Sequence, residues 1–231
     1  MKVLSRFNGP PGMGNGGYSA GLLAAHVDAG AVSAVSAVSA VSVRLRKPVP
    51  LDREMEVRDG QLLDGETVIA SAEPATLDLD VPAAPTLDEA RRAAAKVPWR
   101  DRHPFPTCFG CGPGREDGIA ALLGPLDGRE EWAGVWRPAD LLPNDGTSVL
   151  PEIVWAALDC PSAQPVAPDG GPAFVLGTFV AQLERPVELG VDHLLLAWEL
   201  GRDGRKAYSA SAIIGPHGVC GRARAVWVSI G

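Results

Sequence analysis

A single carboxylate interrupts an otherwise apolar stretch in Ser148 to Ser162, SVLPEIVWAALDCPS. Pro151 suits the first turn of a helix, where a missing N–H costs little. Glu152 then sits near the positive end of the helix dipole. From Ile153 to Leu158 the run is apolar all round, which predicts a helix wrapped by other structure. Asp159 follows. An acid in such surroundings must be paired, neutralised or functional. Two readings fit it: an aspartate that caps or hydrogen-bonds the turn at Cys160-Pro161, or a functional acid. Pro161 disfavours helix for Cys160 and predicts a kink just after the acid.

Further candidates lie far from it in the chain. Asn15-Gly16-Gly17-Tyr18 follows the glycine- and proline-rich loop Asn8 to Gly17 and opens a helix over Gly16 to Val27, with Asn15 as N-cap. The two glycines leave the first helical N–H groups uncovered, so a ligand oxygen can approach; a plain glycine turn is the other reading. Cys108 and Cys111 have the spacing of half a zinc site. A second close pair is missing, Cys160 and Cys220 stand alone, and His103 is the nearby histidine. The expectation is therefore no metal, with Cys108 to Gly112 a tight turn. Pro113-Gly114 argues against a redox pair, which needs a helix opening there. His26, His103, His193 and His217 show no metal spacing. No cofactor is implied.

The elements that position these residues are mostly strands. Met1 to Phe7 reads as a short strand. Ala31 to Ser42 repeats Val-Ser-Ala in threes, a period that suits neither strand nor helix, and its later part leads into a strand through Leu45. Met55 to Leu63 and Thr67 to Leu79 read as two strands around a turn at Asp64-Gly65. Val81 to Pro106 is rich in Pro and Ala and reads as a linker with a short helix over Leu87 to Lys96. Ile119 to Leu123 and Glu131 to Arg137 read as a hairpin. Four strands close the chain: Ala173 to Leu183, His193 to Leu200, Lys206 to Ile214 and Val219 to Ile230.

Composition narrows the classes. The 231 residues are 46% hydrophobic and 21% charged, as in globular proteins, with a net charge of −7. No basic cluster suits nucleic acid or an anionic membrane. An acidic ligand must rely on local Arg, Lys or helix N-termini. No apolar run reaches a membrane span. The opening MKVLSRFNGPPG lacks the apolar core of a signal peptide, so a cytoplasmic location is expected.

The two halves share a pattern. Leu45-Arg46-Lys47-Pro48-Val49-Pro50-Leu51 matches Leu183-Glu184-Arg185-Pro186-Val187-Glu188-Leu189. Each match follows a strand and precedes an Asp-Gly turn, Asp64-Gly65 or Asp203-Gly204, and then another strand. Each half places a helix upstream. The expectation is a duplicated unit of helix plus antiparallel strands, over 1–81 and 107–231, joined by a linker over 82–106. Two such sheets pair edge to edge.

At this point the chain resembles the hotdog superfamily of acyl-CoA thioesterases. Cys108-Phe109-Gly110-Cys111-Gly112, the later Asp117-Gly118-Ile119 and Leu158-Asp159 are similar to the phenylacetate-pathway type. That type reads Cys-Phe-x-Cys-Gly and then His-Gly-Gly, with an acid nine residues after the His. Leu150-Pro151-Glu152 stands where His-Gly-Gly would be. Gly14 to Tyr18 and Arg46 to Leu51 resemble the tandem acyl-CoA thioesterase II group. The resemblance implies an α+β double hotdog with two central helices, each wrapped by an antiparallel sheet.

It also implies a chemistry. The helices lie antiparallel, so Asp159 faces the helix start at Asn15, Gly16 and Gly17. Their N–H groups would polarise a thioester carbonyl while Asp159 activates water or attacks directly. Tyr18, Glu152, Trp155 and Thr178 complete the candidate substrate site; Tyr18 and Trp155 suit core or pocket wall, and Thr178 suits a plain strand residue or, with Gln182, a helper. The acyl-CoA thioesterase II group uses an Asp, a Thr and a Gln, and Arg224 falls near the place of that Gln. The second pseudo-equivalent site pairs Pro151-Glu152 with Leu23 or Gly21, neither an acid, so one competent site is expected. The implied partner is a small CoA-like acyl thioester. Exposed sheet edges allow a homodimer. Non-catalytic acyl binding and a hotdog hydratase are the alternatives.

Overall fold

The computed structural model describes residues 1–27, 40–98, 102–167 and 173–230. In chain order it contains helix α1 (Gly16–Ala24), β1 (Ala40–Leu45), β2 (Glu56–Arg58), β3 (Gln61–Asp64), β4 (Thr67–Ala75) and helix α2 (Leu87–Ala94). There follow β5 (Gly124–Pro125), β6 (Trp132–Trp136), helix α3 (Pro151–Ala163), β7 (Ala173–Leu183), β8 (His193–Asp203), β9 (Lys206–Gly215) and β10 (Gly218–Ile230). All ten strands form one antiparallel sheet in the order β2-β3-β4-β1-β7-β10-β9-β8-β6-β5. Its first four strands come from the first third of the chain, and they join the other six where β1 pairs with β7. There Ser42 lies opposite Val180, each three residues before the heptapeptides at Leu45 and Leu183.

The sheet curls around α1 and α3, which pack against each other. Helix α1 touches β1, β4 and β7, while α3 touches β7, β8, β9 and β10. Being surrounded explains why α3 is apolar all round: Ile153 through Ser162 are all buried. The two helices meet at glycines. A Cβ on Gly17 would lie 2.3 Å from the Asp159 Cβ, and one on Gly21 would lie 2.7 Å from the Glu152 Cα. Only a residue without a side chain permits this approach.

The segment between the two groups of strands does more than connect them. A capping box at Thr86 and Glu89 starts α2. Its Ala90 and Ala93 then bury against the outer face of the sheet, with Leu79, Leu126, Leu196 and Trp198.

Several expectations need correction. Met1 to Phe7 is no full strand; Val3 makes a lone bridge to Leu51 and Ser5–Phe7 is a single 3-10 turn. The expected strand Met55 to Leu63 is two strands, because Asp59 and Gly60 take positive φ (51° and 71°) and make a tight hairpin turn. Ile119 to Leu123 joins no ladder. It binds the cysteine loop through Ile119 N–H to Phe109 O (2.8 Å) and Ala121 N–H to Gly110 O (2.9 Å). Helix α1 ends at Ala24, short of Val27. Most of the Val-Ser-Ala run, residues 31–39, lies outside the described residues, and β1 begins at Ala40.

Pro161 does not end its helix. Helix α3 continues to Ala163, and the turn the proline weakens is braced by side chains. The Ser162 hydroxyl donates to Asp159 O (2.7 Å) and accepts from Trp227 Nε1 (3.0 Å).

Candidate active site

Asp159 stands on α3 where that helix crosses the start of α1. It is 2% exposed. Its Oδ2 accepts the Gly17 N–H at 2.7 Å, and its buried Oδ1 has no partner among the described residues. Burial pushes its pKa up to about 8; the Gly17 N–H opposes the shift and the neighbouring Cys108 adds to it. A carboxyl at this position therefore holds its proton near neutral pH in the ligand-free protein.

The acid forms part of the wall of a cavity of about 460 Å³. The rest of the wall is mostly apolar, with Met13, Phe105, Phe174, Leu176 and Trp227. Arg46 and Lys47, from the first heptapeptide, line the same cavity. Such a volume, largely apolar with a few convergent polar groups, is of the kind that holds small ligands.

The helix start behaves differently from the expectation. Asn15 does cap α1, its Oδ1 accepting the Tyr18 N–H at 2.9 Å. The Gly17 N–H is taken up by Asp159, so it is not open to a substrate oxygen while the carboxylate holds it. Asn15 and Gly16 line the cavity and Gly17 does not. The other candidates fall outside the lining. Tyr18 is buried with its ring stacked on Phe7 at 3.9 Å. Trp155 packs edge-on against Phe179. Glu152 lies against Gly21 at the far end of the helix crossing, and Thr178 sits in β7 opposite Arg44 and Val226. At that second crossing no acid comes from α1, because Gly21 occupies the place.

Cys160, expected to stand alone, joins the Cys108–Cys111 turn, while Cys220 stays apart. The sulfurs of Cys108, Cys111 and Cys160 lie within 4.8 Å of one another, all buried and all on the cavity wall. Cys108 and Cys160 are 3.7 Å apart. The loop reaches α3 because residue 110 is glycine: a Cβ there would lie 2.5 Å from the Cys160 sulfur. Asn15 Nδ2 points its hydrogens at Cys108 (3.7 Å) and Cys160 (3.6 Å). Hydrogen bonds from the other two thiols push Cys108 well below the usual thiol range, and the same bonds with burial push Cys160 up. The signal that was present in the sequence is that Cys160 directly follows Asp159.

The cysteine loop is itself locked to the start of the chain. Phe109 N–H donates to Asn8 O (2.8 Å). Arg115 reaches Asn8 Oδ1 (2.9 Å), Arg6 O (2.8 Å) and Asp117 Oδ1 (2.8 Å). His103, on the cavity wall, accepts the Phe105 N–H at Nδ1 (3.0 Å), and burial lowers its pKa.

No protein-family model matches the chain, and no curated protein matches it. Solved structures do. A conserved protein of unknown function with a hot dog fold from Alicyclobacillus acidocaldarius is 11% identical, with a TM-score of 0.58 over 100% of this chain and 92% of that one. The tesB protein of Mycobacterium avium subs paratuberculosis is 13% identical, with a TM-score of 0.58 over 100% of this chain and 91% of that one. A putative thioesterase, a phenylacetic acid degradation-related protein from Ralstonia eutropha JMP134, is 16% identical and covers 46% of this chain and 83% of its own, at a TM-score of 0.41. The first two likenesses run through all of the sheet and both central helices, and the chain has the double hotdog fold.

Proposed function

We propose that the chain hydrolyses a small acyl thioester, CoA-like in its carrier, with Asp159 as the base or nucleophile. The observation that supports this is the Asp159 carboxyl: one oxygen pinned by Gly17 N–H, the other without a partner among the described residues, in the wall of a ligand-sized, largely apolar cavity. In the base route, the carboxylate takes a proton from water as the oxygen attacks the thioester carbonyl carbon. The C–S bond then breaks and the leaving thiolate takes up the proton. In the nucleophilic route, the Asp159 carboxylate attacks the carbonyl carbon and the C–S bond breaks to release the thiolate; water then opens the anhydride, which restores the carboxylate, and the proton released passes to the thiolate. Gly16, at the first turn of α1, offers the carbonyl its N–H. Arg46 and Lys47 match the negative charge of a phosphorylated carrier. Units 1–81 and 107–231, joined by 82–106, and a homodimer formed through the sheet edges belong to the same reading.

The burial of the same carboxyl favours a second reading. A carboxyl raised to about 8 is mostly protonated at pH 7. A protonated Asp159 donates to an acyl carbonyl and activates no water, which suits non-catalytic acyl binding. Hydrolysis of a panel of acyl-CoAs by wild type and Asp159→Asn separates the two. Under the hydrolase reading the variant loses about 10²–10⁴-fold in turnover and keeps ligand affinity. No turnover by wild type, with saturable acyl-CoA binding, would establish the binding reading instead.

A further inference from the structure

We infer that Cys108, Cys111 and Cys160 form a site for one thiophilic divalent metal ion, zinc by its geometry, with the fourth coordination position open to the cavity. The site stands apart from the question of thioester hydrolysis, because it rests on the sulfurs and not on Asp159.

The first argument is distance. A tetrahedral zinc with Zn–S bonds of about 2.3 Å spaces its sulfurs about 3.8 Å apart. Cys108 and Cys160 are 3.7 Å apart, and all three sulfurs fall within 4.8 Å. That separation is far too long for a disulfide, and all the cysteines are free. The second argument is the source of the ligands. Two come from a C-x₂-C turn closed by Gly112 N–H to Cys108 O (2.8 Å), and the third comes from the buried helix that the turn docks on. Zinc sites commonly combine such a turn with ligands from another element.

The third argument is the surroundings of the sulfurs. Three thiols packed together in a core would be satisfied by apolar neighbours. Here Asn15 aims its amide N–H groups at two of them, and its orientation is fixed because Oδ1 caps Tyr18. Donors held against sulfur stabilise thiolates, as outer-shell groups do around metal ligands. Cys220 provides an internal contrast: it lies on β10, where its sulfur donates to Gly218 O. The cavity-facing fourth position is left for water or a ligand atom, since all three cysteines line the cavity.

The test is cobalt titration of the full-length protein, reduced with a non-chelating phosphine and passed over a chelating resin. The expected result is one equivalent of Co²⁺ giving a thiolate-to-cobalt charge-transfer band and the strong visible bands of a tetrahedral site. One equivalent of Zn²⁺ should bleach them and raise the thermal midpoint. Cys160→Ser and Cys111→Ser should each weaken Co²⁺ binding by roughly tenfold or more, and Cys220→Ser should leave it unchanged. If Cys160→Ser does not fold, Cys111→Ser, in the loop, decides. Absence of the charge-transfer band in fully reduced wild type overturns the proposal. So does a Co²⁺ affinity indifferent to both substitutions, or a bound metal lost with Cys220.

Discussion

Replacing Gly17 by alanine tests the helix crossing on which the whole site depends. The new Cβ would sit 2.3 Å from the Asp159 Cβ and 2.6 Å from Trp155 O, about 1.1 Å inside ordinary contact. Neither neighbour is the end of a flexible side chain, so α1 and α3 must separate. A shift of that size carries the 2.7 Å Gly17–Asp159 bond out of range. Alanine should itself favour the helix by about 1 kcal/mol over glycine. Against that, overpacking costs about 1–3 kcal/mol and the lost bond to a buried carboxyl about 1–3 more. The contact wins, for a net loss of about 1–5 kcal/mol. For a chain of this size that lowers the melting temperature by about 2–20 °C. Equilibrium urea unfolding followed by tryptophan fluorescence reads it directly. Gly21→Ala should cost less, since its nearest new neighbour is 2.7 Å away and it breaks no bond to Asp159. A Gly17→Ala protein as stable as wild type, or more stable, would refute the reasoning. Helix propensity would then outweigh the contact, and Asp159 would not be held by a rigid crossing.

Other perturbations have definite outcomes. Gln164, 1% exposed, accepts the Leu123 N–H (2.6 Å) and donates to Ala121 O (2.7 Å); Gln164→Leu strands both backbone groups, and urea denaturation should show a loss of about 2–5 kcal/mol. Burial lowers the pKa of His193, so the unfolded chain takes up a proton there first as pH falls below its ordinary value of 6.5. Stability should drop from about pH 6.5 down to the lowered folded value, and His193→Gln should remove that part of the drop in melting scans across pH. Arg115→Met unlocks the cysteine loop from Arg6 and Asn8; hydrogen exchange at the Phe109 amide should speed up, with a loss of about 1–3 kcal/mol.

Much of the fold was legible because local rules decided it. The last four strands are long apolar runs bounded by turns, and β7 through β10 lie within a few residues of where periodicity put them. Asn15 caps α1 and Pro151 opens α3, since caps are read from a few neighbouring residues. The buried acid was legible as a break in an apolar run; a helix and meander repeated along the chain pointed to a duplicated unit, and the α+β double hotdog was what the resemblance of its motifs to the hotdog thioesterases implied. Where a local rule failed, tertiary packing had overridden it: Pro161 stays helical in a turn that Ser162 and Trp227 brace, and Ile119 to Leu123 serves the cysteine loop and not a ladder.

What tertiary structure alone decided were contacts across long stretches of chain. Whether the Gly17 N–H faces a substrate or Asp159 depends on how closely two helices cross, and the glycines that permit the approach look locally like a flexible turn. Cys160 joins Cys108 and Cys111 because the loop docks through Gly110 onto α3, a meeting that no spacing in the sequence encodes. Spacing reports neighbours within one element. The site is made where separate elements touch, and that is set by the packing of the whole sheet around its two helices.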